Sequence, residues 1–312
     1  MSHGRGIRLF LADGTPNGLL TAEIMNWTGH ALTGPRTKLA ELVKRPECSR
    51  TGVYFLVGPD PENNIRPLVY IGESDDVAGR LKQHNLPEEG QHGKDFWERV
   101  CLITSKDDNL TKAHIKYIES QLIAIAKSSG QCKLVNETAH NYTSLPEADQ
   151  ADMAFFIEQI RIILPVLGFD FLRKSATLPE EVVSDTAAPI FEMVRQRDGL
   201  KARAQEVNGS FFVLEGSHAR DEWQATNKGS GYKNLYDQLV QDGVLSDIRD
   251  NKREFLQAYE FTSPSAAAAV VAGNSANGRT EWTLEGTGKS YAVWQNEQVE
   301  QINIKTSFEK ES

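Results

Sequence analysis

Two β-rich runs separated by a dense set of turn-forming residues constrain this sequence more than any other feature. The first run is GVYFLV at residues 52–57 and the second is RPLVYI at residues 66–71, with GPDPENN beginning the connection between them. Aromatic and β-branched residues favour strands, whereas Gly, Pro, Asp and Asn favour turns. The segment is therefore predicted to form a β-hairpin, around which the amino-terminal half of the chain must fold.

Elements on both sides of the hairpin are predicted from periodicity and capping residues. Residues 7–11, 97–104 and 134–136 are predicted strands, and residues 19–25, 37–43 and 77–84 are predicted helices. A longer helix is expected over residues 111–127, with Asn109 as its cap and Gly130 as its end. A further helix starts at Pro146 and ends at Pro165, and its apolar stripe predicts a packing surface.

In the carboxy-terminal half, strands are predicted at residues 210–214 and 254–261, and a helix at residues 234–240. A short helix with Ser263 as its cap and Gly273 as its end is the clearest element there.

The 312 residues are enough for two domains, and the pattern of elements predicts an α/β protein of the α+β type. We expect an amino-terminal basic extension at residues 1–50, a small α/β domain at 51–141, a helical bridge and linker at 142–190, and a separate α+β domain at 191–312. The linker itself is placed at residues 173–188, which lack periodicity and contain a proline and several acids.

The charge of the chain differs from that of a typical nucleic-acid-binding protein, which carries a basic surface. The formal net charge is −9 at pH 7. Only residues 1–50 have a basic excess, with seven Lys and Arg against four Asp and Glu. Binding to nucleic acid would therefore depend on local basic patches and bound cations, and its affinity would fall with added salt.

The sequence predicts a cytoplasmic protein that does not bind membranes. No apolar run approaches the ~20 residues that span a bilayer, and the amino terminus has too short an apolar stretch for a secretion signal. The three cysteines are Cys48, Cys101 and Cys132. Because their number is odd and their spacing is wide, we expect free thiols instead of a disulfide framework or a zinc site.

Five polar or aromatic residues stand out, although each has an ordinary explanation. Glu119 falls on the apolar face of the helix predicted at 111–127, where a carboxylate needs an ion pair, an edge position or a bound metal. Arg80 and His84 lie four residues apart, so they share a helix face either as a solvated pair or as ligands of one group. Tyr54 and Tyr70 lie in the two strands of the hairpin, where tyrosines are usually core residues.

Taken together and in order, these residues resemble the GIY-YIG nuclease family. Residues 52–54 (GVY) correspond to the first motif, and residues 69–72 (VYIG) contain the second, which continues as Glu73-Ser74. Val53 takes the place of the isoleucine that is common in the family. The resemblance covers about residues 50–140 and continues through Arg80, His84, Glu119 and Asn136.

The resemblance implies that residues 51–141 form a nuclease domain with a central antiparallel or mixed sheet flanked by helices. It implies that Glu119 binds one Mg²⁺ or Mn²⁺, since a single carboxylate with waters and a substrate phosphate is usual for Mg²⁺. Tyr54 would position or deprotonate the attacking water, and Tyr70 would orient the water or the phosphate. Because an ordinary tyrosine has a pKa of about 10, this use of Tyr54 needs help from the metal or a neighbouring cation.

Three further residues receive supporting roles from the same resemblance. Arg80 would neutralise the charge that grows on the phosphate. His84 would hydrogen-bond either Tyr54 or the leaving oxygen, and Asn136 would steady the site.

The second half, from about residue 191 to 304, resembles an uncharacterised domain of the DUF4357 type that often follows such nucleases. Residues 212–220 and 263–282 carry this resemblance, which implies no biochemical role. DNA recognition is one hypothesis, and protein interaction or dimerisation is the other, since this half has an acidic excess. The candidate DNA contacts are Arg220, Lys228, Arg279 and the ring of Trp282, whereas His218 is interpreted as a polar loop residue.

The sequence therefore predicts a metal-dependent endonuclease that hydrolyses phosphodiester bonds of DNA, in restriction of foreign DNA or in repair. A nucleic-acid or protein binding module that keeps the fold without cutting is an alternative, and an RNase is a third hypothesis. The intact set of motif residues favours the enzyme. A homodimer would allow both strands of DNA to be cut, because one such site cuts one strand.

Overall fold

The chain divides into two compact units, Met1–Lys174 (unit 1) and Ser175–Ser312 (unit 2). The structure is a computed structural model that describes residues 4–61, 66–87, 93–107, 109–136, 145–173, 189–207, 209–224, 231–248 and 250–310. Helices and mainly antiparallel sheets occur in both units, which confirms the predicted α+β class. The predicted linker, residues 173–188, lies outside the described residues apart from Arg173.

Unit 1 is built on a seven-stranded mixed sheet. Its strands are β1 (Ile7–Leu11), β2 (Leu20–Ile24), β3 (Gly29–Pro35), β4 (Gly52–Gly58), β5 (Leu68–Ser74), β6 (Arg99–Ser105) and β7 (Lys133–Leu134). They are arranged in the order β1-β2-β3-β6-β4-β5-β7, in which β5 and β7 run parallel and the other neighbours antiparallel. The predicted hairpin is confirmed as β4 and β5.

The predicted helix at residues 19–25 is wrong, because this segment forms β2 between β1 and β3. The spacing of its apolar residues fits both the helical and the strand periodicity, since the segment is short. Pairing with β1 on one side and β3 on the other stabilises the strand. Thr21, Ala22 and Ile24 are buried in consequence. Three strands of the segment predicted as an extension, β1, β2 and β3, are thus part of the sheet of unit 1.

The helices of unit 1 pack on both faces of this sheet. They are α1 (Leu39–Leu42), α2 (Val77–His84), α3 (Lys112–Ser129) and α4 (Glu147–Val166), with 3-10 turns at Arg36–Lys38 and Pro46–Ser49. Val53 and Phe55 of β4 share a core with α3 and α4, whereas Tyr54 and Leu56 face the core that contains α1 and α2. Alternation along β4 therefore directs Tyr54 towards α2.

Helix α4 uses its apolar stripe for packing, as predicted. The buried residues of this stripe are Met153, Phe156, Ile157, Ile160, Ile163 and Leu164. Helix α3 ends at Gly130 as expected, where the backbone adopts φ 62°. Its cap is Thr111 instead of Asn109, because the Thr111 hydroxyl accepts from the N–H of His114 and the His114 ring accepts from the N–H of Thr111.

Unit 2 contains a five-stranded and a three-stranded sheet. Its strands are β8 (Ile190–Arg195), β9 (Leu200–Val207), β10 (Ser210–Val213), β11 (His218–Arg220), β12 (Leu245–Ile248), β13 (Lys252–Phe255), β14 (Tyr259–Phe261) and β15 (Thr283–Leu284). The sheet orders are β14-β10-β9-β8-β15 and β11-β13-β12. Residues 254–261, predicted as one strand, break at the exposed Leu256 because β13 and β14 belong to different sheets.

The helices in the described part of unit 2 are α5 (Gly231–Gln241), α6 (Pro264–Ala272), α7 (Gly278–Glu281) and α8 (Tyr291–Lys310). Helix α6 has the predicted cap and end, since the Ser263 hydroxyl accepts from the N–H of Ala266 at 3.1 Å and Gly273 has φ 63°. From Ala266 to Ala272 every residue of α6 is buried. This helix is the centre of the second core.

Cys48 and Cys101 are buried free thiols, and Cys132 is a partly buried one. Burial raises the pKa of each thiol to about 12, so all three are protonated at neutral pH. No helix within the described parts of the chain combines the length and the apolar character needed to cross a membrane.

Candidate active site

Two tyrosines of the β4–β5 hairpin lie side by side on the sheet face that packs against α2. In the hairpin Tyr54 is opposite Gly72 and Leu56 is opposite Tyr70, so the two rings are diagonal neighbours with centroids 6.2 Å apart. Gly72 makes room for the ring, because a Cβ at that position would lie 2.5 Å from Cζ and Oη of Tyr54. Tyr54 is fully buried and Tyr70 is half-buried.

Helix α2 supplies two more of the predicted residues from one of its faces. Asp76 caps the helix by accepting a hydrogen bond from the N–H of Gly79 at 3.0 Å. His84 is 1% exposed, and its Nε2 lies 2.8 Å from the Tyr54 hydroxyl oxygen. The imidazole centroid lies 5.7 Å from the ring of Tyr54 and 5.2 Å from that of Tyr70. The three rings therefore form one cluster beneath α2.

Arg80 is a fixed cation beside these rings. Burial lowers the pKa of its guanidinium, but the hydroxyls of Tyr54 and Tyr70 interact with it and raise the pKa above its usual value. Its Nη1 also donates to Oε1 of Gln83 at 2.9 Å.

For Tyr54, the effect of burial on the pKa outweighs that of the neighbouring cation. Its burial raises the pKa well above the usual value and Tyr70 raises it further, whereas the nearby Arg80 lowers it only in part. Tyr54 is therefore a neutral phenol at neutral pH.

Glu119 on α3 reaches the same site near the end of β5. Burial raises the pKa of its carboxyl to about 7, and the charge of Glu73 adds to this rise. Lys112, Arg80 and a hydrogen bond from the backbone of Glu73 act in the opposite direction without restoring the usual pKa. A carboxyl shifted by burial and a specific charged neighbour is typical of functional sites.

Lys112 belongs to this site and was missed in the sequence. Its Nζ lies 2.5 Å from a carboxylate oxygen of Glu73 and 3.3 Å from one of Asp75. Lys112 precedes Glu119 by seven residues, which is about two helical turns and places both on one face of α3. The seven-residue spacing from Glu119 was therefore the sequence signal that could have identified Lys112.

An open polar cleft of about 420 Å³ adjoins Arg80. Side chains of both charges line it, so it is suited to a charged ligand and not to an apolar one. The lining residues are Glu73, Ser74, Asp76, Gly79, Arg80, Gln83 and Lys112.

Asn136 follows β7 and holds the strand that carries Tyr70. Its Oδ1 accepts from the N–H of Ile71 at 3.0 Å, and its Nδ2 donates to the carbonyl of Ile71 at 2.7 Å. The side chain of Asn136 thus binds the backbone between Tyr70 and Gly72.

The side chains of this site suit some metal ions and not others. In the described parts of the chain there is no group of three or more His, Cys, Asp or Glu side chains able to hold an ion. That composition does not suit zinc, which takes four protein ligands or three with a water. It does suit Mg²⁺ or Mn²⁺, because Mg²⁺ is held by one or two carboxylates together with waters and substrate phosphates. Glu119 at the polar site is a carboxylate of this kind.

The candidate DNA contacts of unit 2 are placed less favourably than the sequence suggested. Trp282 is fully buried and donates through Nε1 to the carbonyl of Pro264 at 3.0 Å, so the prediction that its ring contacts DNA is wrong. Arg220 is also occupied, since it pairs with Asp198 and donates to the carbonyl of Ala272 at 3.0 Å.

The other residues of unit 2 that the sequence singled out are Arg279, Lys228 and His218. Arg279 is exposed and donates to Gln295 at 3.1 Å, which leaves it accessible to a ligand. Lys228 lies outside the described residues. His218 belongs to strand β11 instead of a loop, and its buried Nδ1 has no hydrogen-bond partner among the described residues.

Comparison with known proteins bears on unit 2. No curated protein and no solved structure matches the chain. Residues 192–295, from β8 into α8, match the protein family described as domain of unknown function (DUF4357).

Proposed function

We propose that unit 1 is a metal-dependent endonuclease that hydrolyses phosphodiester bonds of DNA, of the kind that the resemblance to GIY-YIG nucleases implies. The proposal is carried by one observation. Five residues from two strands and two helices, far apart in the sequence, meet at one polar site; they are Tyr54, Tyr70, Arg80, His84 and Glu119.

Proton movement during hydrolysis is assigned to the pair of Tyr54 and His84. A buried neutral phenol is a poor base by itself, because its pKa lies well above neutral pH. His84 Nε2 is at hydrogen-bonding distance from the Tyr54 hydroxyl, so the imidazole can accept the phenol proton when Tyr54 receives one from water. The half-buried Tyr70 is then the hydroxyl available to orient the water or the phosphate.

Neutralisation of the negative charge on the phosphate is assigned to Arg80. Its guanidinium stays protonated, is adjacent to both tyrosine hydroxyls and borders the polar cleft. A fixed cation at the place where negative charge grows stabilises the transition state without reorganisation. Gln83 holds the guanidinium from the solvent side of α2 through its 2.9 Å contact.

Glu119 is the residue that would hold the Mg²⁺ or Mn²⁺ ion. When bound, such an ion would polarise the phosphate and lower the pKa of a coordinated water. Ionisation of Glu119 is the contribution of the chain to this step, and its raised pKa places that ionisation near pH 7.

The net charge of −9 supports a second candidate function, a nucleic-acid or protein binding module that does not cut. A surface with an acidic excess repels the phosphate backbone, so contact with DNA would need local cations and low salt. The two candidate functions differ in turnover and are separated by one assay.

Supercoiled plasmid incubated with the purified protein in Mg²⁺ or Mn²⁺, beside EDTA controls, tests the proposal. We expect nicking or linearisation by the wild-type protein and loss of this activity in Glu119→Gln. The matched control is Glu158→Gln, which removes an exposed carboxylate from α4 and should leave cleavage unchanged.

Other substrates complete the test. If plasmid stays intact, single-stranded DNA, modified DNA and RNA are assayed under the same conditions. Cleavage of RNA alone would identify an RNase instead. Binding without cleavage of any of these substrates would overturn the enzyme and establish the binding module.

A further inference from the structure

Strand β1 forms one edge of the seven-stranded sheet and pairs with β2 on one side. The N–H of Ala12 donates to Leu19 at 2.8 Å, and the N–H of Met25 donates to Gly6 at 3.3 Å. In an antiparallel ladder, alternate residues direct their N–H and C=O groups to opposite sides. The even-numbered residues of β1 therefore bond to β2, and the backbone groups of Ile7 and Leu9 and the N–H of Leu11 point towards the open edge. The Leu11 carbonyl already accepts from the N–H of Gly14 at 3.1 Å.

Three consecutive apolar side chains are exposed on this edge strand. Leu9 is 50% exposed, Phe10 59% and Leu11 41%. Edge strands are usually protected by charged residues or proline, since an exposed apolar edge is a template for another strand. The one charge of β1 belongs to Arg8, which pairs with Glu23 of β2 at 3.0 Å. In the described parts of the chain, the edge is thus open in its side chains and in its backbone groups apart from the Leu11 carbonyl.

A second β1 strand fits this edge with two-fold symmetry. When two antiparallel copies are centred on Leu9, each Leu9 faces its own counterpart and Ile7 faces Leu11, which uses the outward backbone groups of both strands. Arg8 then lies opposite Phe10, so no charge faces a like charge. The sequence IRLFL is therefore complementary to itself in this register.

We propose that β1 pairs with β1 of a second copy of this chain, so that the two seven-stranded sheets join across a two-fold axis. The inference concerns association and does not rest on the proposed function. Because β1 has five residues, the contact is small beside the ~1,200–2,000 Å² of a standard interface. A dimer that dissociates on dilution is expected.

Sedimentation of the full chain over a range of concentrations is the first test. The apparent mass should rise from that of the 34.7 kDa monomer towards twice that value as concentration increases. A wild-type protein that stays monomeric at every concentration would overturn the proposal, and the edge would then be free for a different partner.

Two cysteine variants test the register. Leu9→Cys places two thiols in a directly opposed pair, whose Cα atoms are about 5.5 Å apart and within disulfide range. Phe10→Cys places them at positions offset by two residues, beyond that range. Under mild oxidation Leu9→Cys should give a covalent dimer, whereas Phe10→Cys and the wild type, with its three native cysteines, should not. Equal cross-linking of both variants would contradict the register.

Two charge variants at Phe10 test the same pairing without covalent chemistry. Phe10→Arg places two cations opposite each other, so its dimer should dissociate at several-fold higher concentration than that of the wild type. Phe10→Glu removes the same ring but places a carboxylate opposite Arg8, so its dimer should persist. Circular dichroism is the check that both variants fold. Identical behaviour of the two folded variants would overturn the proposed interface.

Discussion

The hydroxyl oxygen of Tyr54 lies 2.8 Å from Nε2 of His84, and both side chains are almost completely buried. The sequence left two roles open for His84, contact with Tyr54 or contact with the leaving oxygen. This geometry favours the first role, because Nε2 is already directed at the phenol. In the proposed enzyme the two residues act as one proton-transfer unit.

Replacement of either partner should therefore have nearly the same effect. We expect Tyr54→Phe and His84→Ala each to lower the nicking rate by about 10²–10⁴-fold, and the double variant to be little slower than the single ones. Initial rates on supercoiled plasmid in Mg²⁺ measure this. Tyr117→Phe, which alters a half-buried tyrosine of α3, should cut normally. Multiplicative losses in the double variant would show that the two residues act independently.

Gly72 tests whether the position of the Tyr54 ring matters. A methyl group at this residue would lie 2.5 Å from Cζ and Oη of Tyr54, and the surrounding core is closely packed. We expect Gly72→Ala to displace the ring, to lower the free energy of unfolding by about 1–3 kcal/mol, and to slow nicking. Urea unfolding and the plasmid assay measure the two effects. Gly6→Ala, where an added Cβ meets nothing within 4 Å, should change neither, and a normal Gly72→Ala protein would contradict the described packing.

The pKa of Glu119, raised from 4.5 to about 7 chiefly by burial, predicts a pH-dependent stability. The folded state binds the proton more tightly than the unfolded state, so in the absence of metal this residue costs the folded state progressively more stability as pH rises from about 4.5 to about 7. Glu119→Gln removes that penalty. Urea unfolding without metal should show a larger advantage of the variant over the wild type at pH 8 than at pH 5. An equal difference at both pH values would contradict the assigned shift.

Mg²⁺ should act on the same carboxyl in the opposite sense. A ligand that binds only the folded state stabilises it, so the wild-type melting temperature should rise with Mg²⁺ at pH 8. Glu119→Gln should show a smaller rise, whereas Glu158→Gln should respond as the wild type does. An equal response of all three proteins would exclude Glu119 as the ligand.

Local patterns were sufficient for the elements that surround the site. Turn residues between two β-rich runs predicted the hairpin of Tyr54 and Tyr70, and four-residue spacing placed Arg80 and His84 on one face of α2. These features depend on neighbours in the sequence, which is why they could be found without a structure.

Features that depend on distant partners were missed. Strand β2 was predicted as a helix because its apolar residues fit both the helical and the strand periodicity. Its pairing with β1 and β3 stabilises the strand. The ion pair of Lys112 with Glu73 joins residues 39 positions apart. Burial of Trp282 likewise follows from packing against α6 and not from its own surroundings in the sequence.

Asn136 illustrates a residue whose type was informative while its contact was not predictable. Its amide makes two hydrogen bonds to the backbone of Ile71, at 3.0 Å and 2.7 Å, and so fixes the strand between Tyr70 and Gly72. We expect Asn136→Ala to lower the free energy of unfolding by about 1–3 kcal/mol and to slow nicking less than Tyr54→Phe does. Asn136→Asp keeps an acceptor for the N–H of Ile71 but presents a carboxylate to its carbonyl, so it should be no better than alanine. Wild-type stability and nicking in Asn136→Asp would show that the acceptor alone is sufficient and that the second hydrogen bond does not contribute.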